Sequence, residues 1–271
     1  MYPTKYHTPK TLSEAQKIFA AAASPAYLSG GHTLLPAMKL RLAAHSDLID
    51  LSAIPEMHGF TQKADRLSIG AMTRHHDVAN SALVAKLIPA LAGCAGSIGD
   101  RHVRHRGTIG GSVANNDPAA DYPAALLGLG AIIVTDKRQL VADEFFTGLY
   151  QTALQPGEIL LQVEFPIPQI AAYAKFRSLA SRYSVVGVFI SQNNKKVRVA
   201  VTGAGAGGVF RVQSFEAALE KDFSPSALVT CSVDPAYLMA DASGSSEYRA
   251  NLINVMARRA VENPGKTSCY N

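Results

Sequence analysis

Two glycine pairs set among hydroxyl and amide side chains constrain this chain more than any other feature. The first lies in Ser29-Gly-Gly-His-Thr33. The second opens Thr108-Ile-Gly-Gly-Ser-Val-Ala-Asn-Asn-Asp-Pro-Ala-Ala-Asp121, behind the basic run Asp100-Arg-His-Val-Arg-His-Arg106. Glycine admits backbone conformations closed to other residues and lets the chain lie flat against a phosphate or a ring. After a strand it allows consecutive N–H groups to point into one concavity, and Ser29 and Thr33 can add hydroxyls there. A buried stretch as polar as Thr108–Asp121 must find hydrogen-bond partners, and a polar ligand is one source of them. Either pair alone is explained by a tight turn. Together they predict one extended, anionic, two-ended ligand.

Periodicity supplies the frame. Thr11-Leu-Ser-Glu14 is a capping-box pattern ahead of apolar residues at helical spacing, Leu12, Ala15, Ile18, Phe19 and Ala22. A helix ending near Ser24-Pro25 leads into a short strand, Ala26–Leu28, then the first glycine pair. A helix from Leu34 to Leu42 and a strand from Asp47 to Leu51 complete a small α/β unit. Further on, Leu67–Ile69, Ala131–Val134 and Ile159–Phe165 read as strands, with short helices after Thr73 and from Pro89 to Cys94. The second glycine pair reads as a loop leading to a helix with Asp121 as its cap and Pro123 in its first turn. Pro166-Ile-Pro168 marks a boundary. Beyond it, Val185–Ile190 and Val197–Thr202 bracket Asn193-Asn194 as a hairpin, and a serine-capped helix spans about Ser246 to Val261.

Composition narrows the chemistry. The 271 residues leave room for about two domains. A content of 48% hydrophobic and 17% charged residues is that of ordinary globular protein. No apolar run reaches the roughly 18 residues a spanning helix needs, and no apolar signal core follows Met1, so cytoplasmic residence without membrane insertion is expected. Cys94, Cys231 and Cys269 stand far apart with no CxxC pair, which supports neither disulfides nor an iron–sulfur or zinc site. One-electron chemistry would therefore use an organic cofactor or a partner's metals. The net charge of +5 suits an anionic cofactor or an acidic partner.

Several motifs are decoys. Gly203-Ala-Gly-Ala-Gly-Gly208 matches GxGxxG, but Val209–Val212 after it reads as extended, and no acid stands where a dinucleotide site needs one. Asp100, His102 and His105 have metal-like spacing, with His75-His76 as further donors, yet Arg101, Arg104 and Arg106 would repel a cation. That basic run lacks the interleaved aromatics of a nucleic-acid site; pairing with cofactor phosphate or a neighbouring subunit's carboxylates is its expected use. No GxSxG elbow supports a hydrolase.

Ser29 through Leu42, Ile69-Gly-Ala-Met-Thr-Arg-His75, Ile98 through Pro123 and, near the end, Tyr248-Arg-Ala-Asn-Leu252 carry a resemblance. In these stretches the chain resembles the FAD-binding medium subunit of molybdenum hydroxylases, the carbon monoxide dehydrogenase and xanthine dehydrogenase group. The resemblance implies an α+β fold: a two-lobed FAD-binding domain over residues 1–170, with a small α/β lobe (about 1–55) and a larger α+β lobe (56–170). A smaller C-terminal α+β domain would follow over 171–271. It implies FAD contacts from Leu28, Ser29, Gly30, Gly31, His32, Thr33, Leu34 and Leu35 at the pyrophosphate. Thr108, Gly110, Gly111, Ser112 and Asn115 would form a second cradle, Asp121 would bind a ribityl or ribose hydroxyl, and Leu160 would lie near the cofactor. Lys175 would stand at the flavin's pyrimidine end, where a cation stabilises the anionic reduced ring, and Tyr183 falls in the same region. No catalytic side chain and no metal ligand is expected. The implied partners are a large molybdopterin subunit and a small subunit with two [2Fe–2S] clusters, in a heterotrimer or its dimer. Two rival readings are a stand-alone FAD oxidase, for which His32 offers a conceivable linkage, and a non-enzymatic assembly or binding protein of the same fold.

Overall fold

A computed structural model describes residues 1–271. The chain builds three main sheets in sequence, with a two-stranded ribbon of Phe146–Gly148 and Gln151–Thr152 beside them. Lys5–His7, Asp47–Asp50 and Pro25–Leu28 form a three-stranded parallel sheet with Asp47–Asp50 in the centre. Its crossovers are the helices Leu12–Ala21 and Leu34–Lys39. Thr11 caps the first helix through Glu14 N at 3.2 Å, while Glu14 Oε2 accepts from Lys10 N at 2.8 Å, the reciprocal pattern the sequence predicts displaced by one residue. The second helix ends at Lys39 rather than Leu42, because Arg41 takes a left-handed backbone, φ 61°.

The second sheet is antiparallel throughout, in the order Phe60–Lys63, Arg66–Gly70, Leu160–Pro166, Ile132–Thr135, Gln139–Val141. The chain leaves it at Pro166 and enters the third at Ile170. That sheet runs Phe210–Arg211, Lys196–Thr202, Ser184–Asn193, Ile170–Arg177, Thr267–Tyr270, its last pairing parallel. Helix Ser246–Glu262, capped by Ser245, buries Leu252, Ile253, Met256, Ala257, Ala260 and Val261. The hairpin turn falls on Asn194 and Lys195, both at positive φ, one residue later than the sequence predicts. The GxGxxG match is a turn before Phe210–Arg211, and the next helix starts only at Gln213.

Helix Asp121–Leu129 is the keystone between the second and third sheets. All nine of its residues are buried, as a helix apolar on every side requires. Its Leu127 and Gly128 carbonyls accept from Arg198 Nε at 2.7 Å and Ser191 Oγ at 2.6 Å. The apolar interior divides into a core of 37 buried residues, nearly all before Ala171, and one of 21 after it.

The basic run, given no element from sequence, is a helix, Arg101–Arg106, capped by Asp100 through Val103 N. Two sequence expectations are corrected here. The second glycine stretch is not a loop but the helix Ile109–Asn115, capped by Thr108 and closed by left-handed Asn116. Two glycines each disfavour helix by about 0.5–1 kcal/mol, so propensity hides it. The structure needs glycine there because a Cβ at Gly110 would stand 2.5 Å from Ala71 Cβ and 2.7 Å from Ala71 O. Finally, Asp121 is the first helical residue rather than the cap, which is Ala120.

Gly110→Ala is therefore expected to lower stability by about 1–3 kcal/mol through overpacking against backbone. Gly207→Ala, where a Cβ meets nothing within 4 Å, should be neutral or slightly stabilising. Urea denaturation of the two variants checks the contrast.

Candidate functional site

The loop after strand Pro25–Leu28 is held open by contacts that only glycine allows. A Cβ at Gly30 would collide with the Arg106 carbonyl and stand 2.7 Å from Gly107 Cα; Gly31 has φ +75°, and a Cβ there would meet Leu35 Cδ1 at 2.9 Å. Leu35 thus packs beneath the turn, its N–H donating to Gly31 O at 3.1 Å. The N–H groups of Ser29, Gly30, Gly31, His32 and Thr33 donate to nothing within the chain. Five consecutive free amides are rare in a folded protein unless solvent or a ligand takes them.

The second cradle differs. Ile109 N donates to Thr73 O, Gly110 N to Ala71 O, Gly111 N to Thr108 Oγ1 and Ser112 N to Thr108 O, all at 2.8–3.1 Å. Its amides are already satisfied, so what it presents is a glycine face and hydroxyls. The two cradles meet directly: Ser29 Oγ lies 2.5 Å from Thr108 Oγ1, and a Cβ at Gly111 would come within 3.3 Å of Ser29 Cβ.

Between them opens a cleft of about 600 Å³, within the usual range for cofactor sites. Of the residues named from sequence, Leu28, Ser29, Gly30, Gly31, His32, Thr33 and Leu34 line it from the first loop, and Thr108, Gly110, Gly111, Ser112, Asn115, Asp121 and Leu160 from the later segments. Two residues named from sequence stand off the wall, Leu35 as described and Lys175. Lys175 Nζ is fully buried behind Asp121, donating to its Oδ2 at 2.9 Å and to Ser97 O at 3.3 Å. Asp121 Oδ1 accepts from Tyr173 OH at 2.5 Å and Ser184 Oγ at 3.0 Å. The carboxylate is thus gripped from behind by the third sheet, and burial beside it pushes the Tyr173 hydroxyl well above its ordinary pKa.

Sequence reasoning missed several wall residues. Met72, His75, Ile98 and Val103 also line the cleft, and Ser181, Arg182 and Tyr183 bring the third sheet's exposed connecting turn to it. Met72, His75, Ile98 and Val103 lie in stretches that carry the resemblance, but of these wall residues only Tyr183 was given a place near the cofactor. Glu158 also borders the cleft and organises the turn ahead of Leu160. Arg138 Nε at 2.9 Å, Gln155 N at 2.8 Å and Thr135 Oγ1 at 2.7 Å all donate to it. The Arg138 hydrogen bond, foremost, lowers its pKa to about 2; burial, the next largest effect, opposes it, and the Gln155 and Thr135 hydrogen bonds add to the lowering. No group of three or more His, Cys, Asp or Glu is placed to hold a metal, and no helix is long and apolar enough to cross a membrane.

A run of free amides beside a glycine face, in a cleft lined with hydroxyls, suits a phosphate-bearing cofactor. The family is shown by comparison: residues 2–168 match the FAD binding domain in molybdopterin dehydrogenase, and the chain belongs to that family. It is 33% identical over 276 residues, 95% of each chain, to the carbon monoxide dehydrogenase medium chain of Hydrogenophaga pseudoflava. It is 32% identical to the nicotine 6-hydroxylase medium subunit of Paenarthrobacter nicotinovorans, covering 96% of this chain and 97% of that one. The solved carbon monoxide dehydrogenase from Hydrogenophaga pseudoflava that lacks the Mo-pyranopterin moiety superposes with TM-score 0.86 over 97% of this chain and 98% of that one, at 31% identity. The α+β fold, the FAD cofactor and the standing of this chain as an oxidoreductase subunit follow.

Two outcomes are expected. Lys175→Met strands a buried carboxylate and should destabilise the protein by about 3–5 kcal/mol, while Asp121→Asn/Lys175→Met should recover most of it; denaturant midpoints read both. For Glu158, the folded pKa lies below the ordinary 4.5, so its stabilisation is complete above pH 4.5 and lost as pH falls toward 2. Glu158→Gln should flatten that part of the stability–pH curve.

Proposed function

We propose that this chain is the FAD-carrying electron-transfer subunit of a heteromeric molybdenum hydroxylase. Electrons arrive from the [2Fe–2S] clusters of a small partner subunit, after a large molybdopterin subunit oxidises the substrate, and leave to an external acceptor. The observation that carries this reading is the set of free amides, Ser29 to Thr33, beside the glycine face of Gly110 and Gly111, in a chain whose relatives are medium subunits. Bound there, FAD supplies a store that takes electrons singly or in pairs. The chain's own residues do the rest. The amides of the first loop hold the pyrophosphate, with Ser29 and Thr33 hydroxyls alongside, and Leu28 and Leu34 flank it. Thr108, Gly110, Gly111, Ser112 and Asn115 lie along the chain linking phosphate to ring, and Leu160 packs against the cofactor. Asp121 accepts from a cofactor hydroxyl, and Lys175 acts through Asp121 by fixing its carboxylate. Residues 1–170 form the FAD-binding domain and 171–271 a C-terminal domain whose Ser181–Tyr183 turn borders the cleft.

No side chain at the cleft makes a nucleophile–base pair, which favours electron transfer over substrate chemistry in this chain. The free chain should bind FAD non-covalently yet oxidise no substrate, and its flavin should be reduced by substrate only when the partner subunits are present. Turnover by the free chain would instead indicate a stand-alone oxidase. Gly111→Val, which intrudes on the Ser29 side of the cleft, should reduce bound FAD at least about tenfold, the scale set by one or two lost contacts, measured as flavin per protein in the purified variant.

A further inference from the structure

One buried polar residue on the cleft wall has no role in the reading above. His75 lines the cleft and is only 5% exposed. Its Nδ1 is buried without a partner, and its Nε2 makes no hydrogen bond within the chain either. The imidazole is nevertheless fixed in place. It begins the helix His75–Asn80, its backbone N–H donates to Gly107 O at 2.9 Å, and its ring packs on Tyr122 at 5.3 Å between centroids. A Cβ at Gly107 would stand 2.6 Å from Nε2; glycine at that position leaves the nitrogen uncovered. Buried polar groups in folded proteins are nearly always partnered, and an imidazole held rigidly with both nitrogens free is an exception that a ligand would resolve.

We propose that His75 is a cofactor-contacting residue, its neutral imidazole donating Nε2–H to an oxygen of FAD bound in the cleft. A neutral ring carries one proton. Placed on Nδ1, it would leave a buried N–H with no acceptor; placed on Nε2, it faces the cleft, and only a lone pair is left unmatched. Burial, with His32 and Arg104 adding repulsion, pushes the pKa down to about 3. The ring therefore stays uncharged and offers a donor without the cost of a buried cation. His75 is a side chain separate from the loop amides: it stands against Gly107, whose backbone also abuts Gly30, so it would contact the ligand beside the part held by the loop.

The inference rests on the FAD reading, and one experiment separates the two. The full-length apoprotein is titrated with FAD, following quenching of flavin fluorescence, for the wild type, His75→Phe and His75→Gln, with thermal melts of each apoprotein. The phenyl ring keeps the packing and removes the donor; the glutamine amide restores a donor. His75→Phe is expected to bind FAD about tenfold more weakly, the scale of one hydrogen bond to a polar ligand, with apoprotein Tm unchanged or raised. His75→Gln should bind within about threefold of wild type. If His75→Phe does not fold, His75→Met takes its place, with the same expectation. A donor-less variant binding within twofold of wild type overturns the proposal. So does weakened binding that tracks a fall in apoprotein Tm and is not restored by glutamine. Failure of the wild type to bind FAD would overturn the functional reading itself.

Discussion

The contact between Ser29 and Thr108 is the point on which the site depends. At 2.5 Å between hydroxyl oxygens it ties the loop of the small parallel sheet to the cap of helix Ile109–Asn115. Gly30, pressed against the Arg106–Gly107 backbone, brings the same two segments together without a side chain between them. Thr108 serves three neighbours at once, since its hydroxyl also accepts from Gly111 N and its carbonyl from Ser112 N. The satisfied amides of one cradle and the free amides of the other are two sides of this arrangement. The helix spends its own donors on holding shape, and the loop it supports keeps its donors available.

The third sheet takes part in the same way, from behind. Tyr173, Lys175 and Ser184 converge on Asp121 from adjacent strands. The carboxylate at the start of the keystone helix is thereby oriented and immobile before any ligand arrives. Pre-ordering of this kind reduces the entropy that binding must overcome. It also gives the C-terminal part of the chain a stake in a cleft whose family match ends at residue 168.

Much of this was legible in the sequence, for identifiable reasons. The strand–glycine–helix junction at Leu28–Leu34 was readable because glycine pairs after a strand have few uses. The capped helices at Thr11 and Ser245 were readable because local hydrogen bonds fix them. The helix at Ile109–Asn115 was hidden, since its glycines are required by the approach of Ala71, a tertiary contact that no local pattern encodes. Lys175 was picked out by resemblance, but its placement behind Asp121 depends on strand pairing between Ile170–Arg177 and Ser184–Asn193, beyond the reach of spacing. His75 was weighed only as a metal donor, because its burial against the cleft depends on tertiary packing that spacing does not encode.

The central claim is that the first loop, and not the second, supplies free amides to the cofactor phosphates. Residue-resolved amide hydrogen exchange, with and without FAD, tests it most directly. Ser29 through Thr33 should exchange rapidly in the apoprotein and become strongly protected on FAD binding, while Ile109 through Ser112 should be protected in both states. Unchanged exchange at Ser29–Thr33 with FAD bound, or protection gained only at Ile109–Ser112, would contradict it.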